Sequence, residues 1–160
     1  MSTVRHFLRG SRPRAGVAGG VVLVAVLTGC GGDDTARLAL DAATASARAR
    51  AEDVAGTLSG VSIAAEPTTV EADLLKAMPR EDTLVVGPVT RQGDAVTVPV
   101  AVFAAASKGE GADAVRRAVR MCVAYAVRPG GGVSLAGTPC WQGAPTSAPG
   151  IGPVDATVPL

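Results

Sequence analysis

Apolar residues recur at every second position from Thr83 onward, and this period of two constrains the fold more than any other feature of the sequence. A two-residue turn at Gln92 and Gly93 would set Val85 opposite Val100 and would gather the valines of both strands on one buried face. Two prolines lie close to this ladder, so we expect its first strand to be an edge strand or to be bulged.

Two further strands are predicted beyond this hairpin. An exposed loop over Ser107–Asp113 precedes an alternating run from about Val115 to Arg128, and the last run extends over Val133–Trp141. The glycines at 130–132 would form the turn between them. A helix over Ala112–Met121 also fits the pattern, because its residues satisfy a period of 3.6, and this alternative stays open.

Helices are predicted upstream of the strands. Asp34 to about Leu58 consists mostly of helix formers and includes no proline, which predicts one long helix. A short amphipathic helix ends at Pro79 and is expected to cover one edge of the core. The long helix has a thin apolar side, whose members are Leu38, Ala45, Ala49, Val54 and Leu58.

These elements predict an α+β fold, with a long N-terminal helix and a short helix packed on a four-stranded antiparallel meander. One helix laid across a sheet is similar to the cystatin-like and NTF2-like arrangement, a resemblance of element order that implies no function. Aromatic residues make up only 2% of the chain, so the core must consist of small aliphatic side chains that bury little area each. A covalent cross-link within the chain would therefore matter for stability.

The first 29 residues have the architecture of a secretory signal peptide. Four arginines fall within residues 1–14, and no charged residue occurs from Ala15 to Gly29. The apolar stretch ends in Leu-Thr-Gly-Cys at positions 27–30, which resembles the lipobox of bacterial lipoproteins. The resemblance covers only this leader. It implies cleavage between Gly29 and Cys30 and a diacylglycerol on the thiol of Cys30.

An uncleaved transmembrane anchor is the alternative interpretation of the leader. A spanning helix needs about 20 predominantly apolar residues, whereas residues 28–32 are mostly glycine and threonine. We therefore expect a lipid-anchored protein on the extracytoplasmic face of the cell membrane. Residues 30–36 would form a flexible polar tether.

Cys122 and Cys140 remain once Cys30 carries the lipid, in a compartment where disulfides persist. A hairpin centred on Gly131 would set them directly opposite each other, at a separation that a disulfide allows. A redox-active pair would prefer a close CxxC spacing, so we predict a structural disulfide. Such a bond contributes typically about 3 kcal/mol.

The sequence predicts one domain over residues 37–141, without internal repeats. From Gln142 to Leu160, four prolines are scattered among glycine, serine, threonine and alanine, and the apolar residues follow no period. We therefore expect residues 142–160 to form a disordered tail.

Several kinds of chemistry are excluded by composition. The only histidine, His6, lies in the leader, which removes the triads that need histidine and most zinc sites. We expect no cofactor, no metal and no catalytic residue. Nucleic-acid binding is excluded because acidic residues outnumber basic ones beyond the leader and stacking rings are scarce. Adjacent carboxylates such as Glu52/Asp53 and Glu81/Asp82 leave a carboxylate-dependent hydrolase as an alternative.

Arg116, Arg117 and Arg120 form the one basic cluster beyond the leader. Such a cluster is either a solvated strand end or a contact for anionic lipid headgroups or an acidic wall polymer. The sequence thus predicts a non-catalytic envelope lipoprotein, held to the membrane by its lipid, that binds an envelope protein or a small ligand. A structural or accessory component of an envelope complex is the alternative.

Overall fold

The computed structural model describes residues 31–61, 67–78 and 82–160. In this part of the chain, two helices pack on one face of a six-stranded, mostly antiparallel sheet, which confirms the predicted α+β class. The sheet has six strands where the sequence predicts four. The elements are α1 (Gly31–Ser59), α2 (Pro67–Ala77), β1 (Thr83–Val85), β2 (Thr90–Gln92), β3 (Ala95–Lys108), a 3-10 turn (Gly111–Asp113), β4 (Val115–Arg128), β5 (Gly132–Gly137), β6 (Ser147–Ala148), β7 (Gly152–Pro153) and β8 (Ala156–Val158).

Helix α1 begins at Gly31, so the prediction of a flexible tether over residues 30–36 is wrong for its described part. Asp33 and Asp34 lie in the first turn of α1, where carboxylates interact favourably with the helix dipole. The carboxylate of Asp34 also lies 3.6 Å from the guanidinium of Arg37. Polar residues that suggested a tether therefore form the start of the helix.

Alanine residues spaced four apart form the buried stripe of α1. The buried residues of the helix are Ala39, Ala43, Ala47, Ala51, Val54 and Leu58. Val54 and Leu58 were predicted correctly, but Leu38 is 52% exposed, and Ala45 and Ala49 lie on the solvent side. The alanines pack against β3 and β4 because their small side chains let the helix approach the sheet closely.

Strand β1 pairs with β3 in the predicted register, with Val85 opposite Val100. The ladder then breaks at residues 86–89, and β2 resumes it two residues out of that register, with Gln92 opposite Ala95. The break follows from the backbone, because neither Pro88 nor Pro99 can donate a hydrogen bond to the ladder. The sequence prediction of a bulged or edge strand is confirmed.

Strands β3 and β4 form the long centre of the sheet. Their alternation sorts the side chains onto two faces, which we name the helix face and the strap face. The residue pairs on the helix face include Val98 opposite Tyr125 and Val100 opposite Val123, all fully buried beneath α1. The segment predicted as either helix or strand is a short 3-10 turn followed by strand β4.

The β4–β5 hairpin is shifted by two residues from the predicted register. Arg128 pairs with Gly132, so the turn is centred on Gly130 instead of Gly131. The reason is Pro129, which lacks an N–H group for the ladder and therefore lies in the turn. In consequence Cys122 lies opposite Thr138, whose N–H donates to the Cys122 carbonyl over 3.1 Å.

Residues 138–160 form an ordered segment, which we call the C-terminal strap, so the prediction of a disordered tail is wrong. The strap crosses the strap face, makes the small β6–β7 ladder and ends in β8, which pairs parallel to β4 beyond the end of β5. Beneath it lies a second apolar cluster, in which Phe103, Ala101 and Cys122 pack with Ala148. The strap lacks a hydrophobic period because only isolated side chains such as Ala148 and Ile151 reach the sheet.

Leu74 of helix α2 and Met78, just after its end, belong to the core beneath α1, and α2 lies beside the edge strand β1. This placement matches the predicted edge-covering role. Leu75, on the outer side of α2, is 39% exposed.

Candidate functional site

Gly29 and Cys30, the predicted cleavage and lipidation residues, lie outside the described residues. Helix α1 begins at Gly31, the residue after Cys30. None of the helices in the described ranges combines the length and the apolarity that a membrane span requires.

Arg116 and Arg117, predicted as surface-binding residues, instead contact the C-terminal strap. Nη1 of Arg116 donates to the carbonyl of Ile151 over 2.7 Å, and Nη1 of Arg117 lies 3.4 Å from Oδ1 of Asp155. Asp155 also pairs with the backbone of Ala118 at the edge of β4. Its N–H donates to the Ala118 carbonyl, and its Oδ2 accepts from the Ala118 N–H at 2.7 Å. The two arginines thus hold the strap against the sheet.

Arg120 makes more hydrogen bonds to the C-terminal strap than Arg116 or Arg117 does. Its Nη1 donates to the carbonyls of Ala144 and Pro145 at 2.9 and 2.7 Å, and its Nε and Nη2 donate to the hydroxyl of Thr157. A guanidinium carries five donors, and an extended segment offers acceptors along its backbone. The three arginines predicted to contact lipid or polymer therefore bond to the C-terminal strap of the same chain.

The C-terminal strap is also fixed covalently. Cys122 and Cys140 lie at disulfide-bonding distance, with their Cα atoms 5.2 Å apart. Because the hairpin register is shifted, Cys140 reaches Cys122 from just beyond the end of β5 and not from directly across the ladder. The bond thus joins the central strand to the start of the strap.

The carboxylates near α1 and β1 are the remaining candidates for chemistry. Asp53 and Asp82 line the same notch of about 160 Å³ with Arg50 and Thr83. The Asp82 carboxylate forms an ion pair with Arg50 and accepts from the Thr83 hydroxyl over 3.3 Å. Among the described residues, no group of three or more His, Cys, Asp or Glu side chains could hold a metal ion.

An apolar groove of about 330 Å³ runs between α2 and β1, lined by Leu75, Met78 and residues 83–85. Strand β1 forms one wall, and its ladder with β3 uses the backbone groups of Leu84. The N–H and C=O groups of Thr83 and Val85 point toward the groove, and no residue in the described ranges bonds to them. The groove therefore offers both apolar contacts and a free strand edge.

Trp141 is the only tryptophan, and it is 55% exposed on the strap face. Its indole packs against the backbone of Gly87, where an added Cβ would lie 3.2 Å from Cε3 of the ring and 3.0 Å from Cγ of Pro99. The Trp141 carbonyl accepts from the Ala144 N–H over 2.9 Å, and Cys140 precedes it in the chain. The indole is thus held in place on one side and open to solvent on the other.

The strap leaves half of the strap face uncovered beside Trp141. Residues near the strap, such as Phe103 and Cys122, are buried, whereas the residues beyond Pro99 are partly or fully exposed. In the β-sheet register the uncovered positions form three cross-strand rows. They are Pro99, Ala124 and Ala136; Thr90, Thr97, Ala126 and Ser134; and, at the far end, Gln92, Ala95, Arg128 and Gly132. Arg128 is the one charged side chain in these rows, and it lies in the outermost row.

The sequence reasoning missed both the C-terminal strap and the role of Trp141. Phe103 was the available signal, because a large apolar residue on the face opposite the valines needs a cover of its own. No family model, no curated protein and no solved structure matches this chain.

Proposed function

We propose that this chain is a lipid-anchored envelope lipoprotein that binds a partner or ligand at the extracytoplasmic face of the cell membrane and catalyses no reaction. The observation that carries the proposal is the leader, with its basic start, its apolar stretch and the lipobox-like ending at Cys30. Cleavage before Cys30 would leave the lipid directly next to α1.

The arrangement of the cysteines supports this location. Cys122 and Cys140 are paired in the folded domain, and disulfides persist in oxidising compartments outside the cytoplasm. Cys30 is left over from the pair, which suits a thiol that carries lipid. No metal or cofactor enters the proposed function.

Metabolic labelling tests the anchor. Cells that express the chain are fed an alkyne analogue of palmitate, and the protein is isolated and coupled to a fluorophore. We expect label on the wild type and none on Cys30→Ala, while Cys122→Ala with Cys140→Ala stays labelled. Equal label on wild type and Cys30→Ala would refute lipidation at this residue.

A role as an accessory component of an envelope complex is the second candidate, and the groove between α2 and β1 favours it. An extended segment of another protein could add a strand to the free edge of β1 and place a side chain beside Leu75. Leu75→Asp should then abolish co-purification of a fixed partner. Leu38→Asp, an exposed leucine on α1, is the matched control. Equal recovery with both variants would contradict this role.

We infer that the fold follows the cystatin-like or NTF2-like arrangement in its finer detail. Strands β1, β3, β4 and β5 follow one another across the sheet, and α1 packs along β3 and β4. An experimental structure would test this assignment, which by itself supports no function.

A further inference from the structure

The uncovered half of the strap face and Trp141 form a surface suited to a sugar. We infer that this surface, which we call the indole platform, binds neutral pyranose units of an envelope glycan. It is defined by Trp141 and by the hydroxyl row of Thr90, Thr97 and Ser134. The inference rests on the proposed location at the cell surface, and it names the class of ligand.

Trp141 provides the stacking surface. The indole has a negative π face and a large rigid area, and the C–H groups of a pyranose ring pack against such a face. Packing on Gly87 and the disulfide at the preceding residue, Cys140, hold the ring in place before any ligand arrives. An anchored ring loses little conformational entropy on binding, which favours affinity.

The hydroxyl row provides the polar contacts. Thr90 lies directly opposite Thr97 on neighbouring strands, so their side chains are about 5 Å apart, and Ser134 lies two strands from Thr97. Neither threonine hydroxyl has a partner among the described residues, and Ser134 makes only a long bond of 3.5 Å to the Ala126 carbonyl. Rows on one face repeat every two residues, about 6.6 Å, and the hydroxyl row is the next row after that of Pro99.

The composition of the indole platform favours a sugar over a protein. Protein interfaces concentrate aromatic and arginine anchors in a tightly packed centre, whereas this surface offers one indole among alanine, threonine and serine. A charged polymer would need several countercharges, whereas the Pro99 row and the hydroxyl row contain none and the next row contains only Arg128. An uncharged saccharide can both stack on the indole and form hydrogen bonds with the hydroxyls.

The single tryptophan makes the test direct. The protein is purified from membranes in a detergent without a sugar headgroup, and its tryptophan fluorescence is titrated with maltohexaose, cellohexaose, mannohexaose and N-acetylchitohexaose. We expect at least one of these to shift the emission saturably. Absence of a saturable shift with all four would overturn the inference.

Variants measured by calorimetry identify the site. Trp141→Ala should weaken binding at least about tenfold, a loss of about 1.4 kcal/mol, whereas Trp141→Phe should keep part of the affinity. Gly87→Ala should weaken binding because the added Cβ displaces the indole. Leu38→Ala, on the solvent side of α1, should bind as the wild type does. Equal affinity of Trp141→Ala and the wild type would refute the site.

The same preparation separates this inference from the proposed function. Its intact mass reports whether Cys30 carries lipid, independently of any sugar titration. A lipidated protein that binds none of the four sugars would overturn the indole platform alone. A protein without lipid that still binds through Trp141 would overturn the anchor alone.

Discussion

Tyr125 is the largest side chain that the structure buries completely. Its ring lies between α1 and the sheet, and its hydroxyl donates to the Ala51 carbonyl over 3.0 Å. Burial disfavours the phenolate, so it raises the pKa of Tyr125 well above the ordinary value of about 10. One residue thus supplies both volume and polarity to a core made mostly of alanine and valine.

Tyr125 should make the protein sensitive to alkaline pH. The neutral phenol is stabilised in the folded state, so its contribution is present below about pH 10 and is lost as the pH rises and the unfolded phenol ionises. Tyr125→Phe should lower the free energy of unfolding by about 1 kcal/mol at neutral pH and reduce its fall above pH 10. Urea unfolding at several pH values measures both effects. Parallel pH profiles for the two proteins would contradict this account.

Gly131 marks the place where the β4–β5 turn touches the end of α1. Its φ is +84°, and an added Cβ would lie 2.5 Å from the Ser59 carbonyl oxygen. Gly131→Ala should therefore cost about 2–3 kcal/mol of stability, from strain and from the clash. Gly93 is the matched control, because its φ is +62° with no atom within 4 Å of an added Cβ. Gly93→Ala should cost only about 1 kcal/mol, and equal losses in urea unfolding would refute the contact.

At the level of elements, the alanine stripe of α1 sets the distance between the helix and the sheet. Ala47→Leu should destabilise the fold by about 1–3 kcal/mol, because three added carbon atoms cannot fit between α1 and the sheet. Ala45→Leu, on the exposed side of the same helix, should be close to neutral. Thermal unfolding of the two variants distinguishes them. A neutral Ala47→Leu would mean that the helix does not pack closely.

The C-terminal strap depends on Asp155 at the edge of β4. Asp155→Ala leaves the Ala118 N–H without its acceptor and removes the contact with Arg117, which should cost about 1–3 kcal/mol. Asp41→Ala on α1 is the control, since Asp41 is exposed. Hydrogen exchange of residues 144–158 should increase in Asp155→Ala alone. Unchanged protection of the strap in that variant would contradict its proposed attachment.

Local patterns predicted the helices and the central strands well, because burial of the valines on one face requires a period of two. Register was harder to predict, since a single proline in the turn moved the β4–β5 hairpin by two residues. The strap could not be read from periodicity because arginine contacts and a disulfide hold it, and only spatial proximity reveals these. The same reason hid the indole platform, whose members come from four separate segments.

At the level of the whole molecule, the two faces of the sheet have different roles. Its helix face forms the main core with α1 and α2, and its strap face is divided between the C-terminal strap and the indole platform. The disulfide and the arginine contacts stabilise the covered half, which leaves the uncovered half fixed in shape. Anchored through Cys30, such a domain would present this surface to the material around the membrane.

The intact mass of the protein from membranes of its native host tests the central claim most directly. We predict a chain that begins at residue 30 and carries a diacylglycerol, and we predict that Cys30→Ala lacks this modification. An unmodified chain that keeps residues 1–29 would contradict the lipoprotein assignment and would indicate an uncleaved anchor instead.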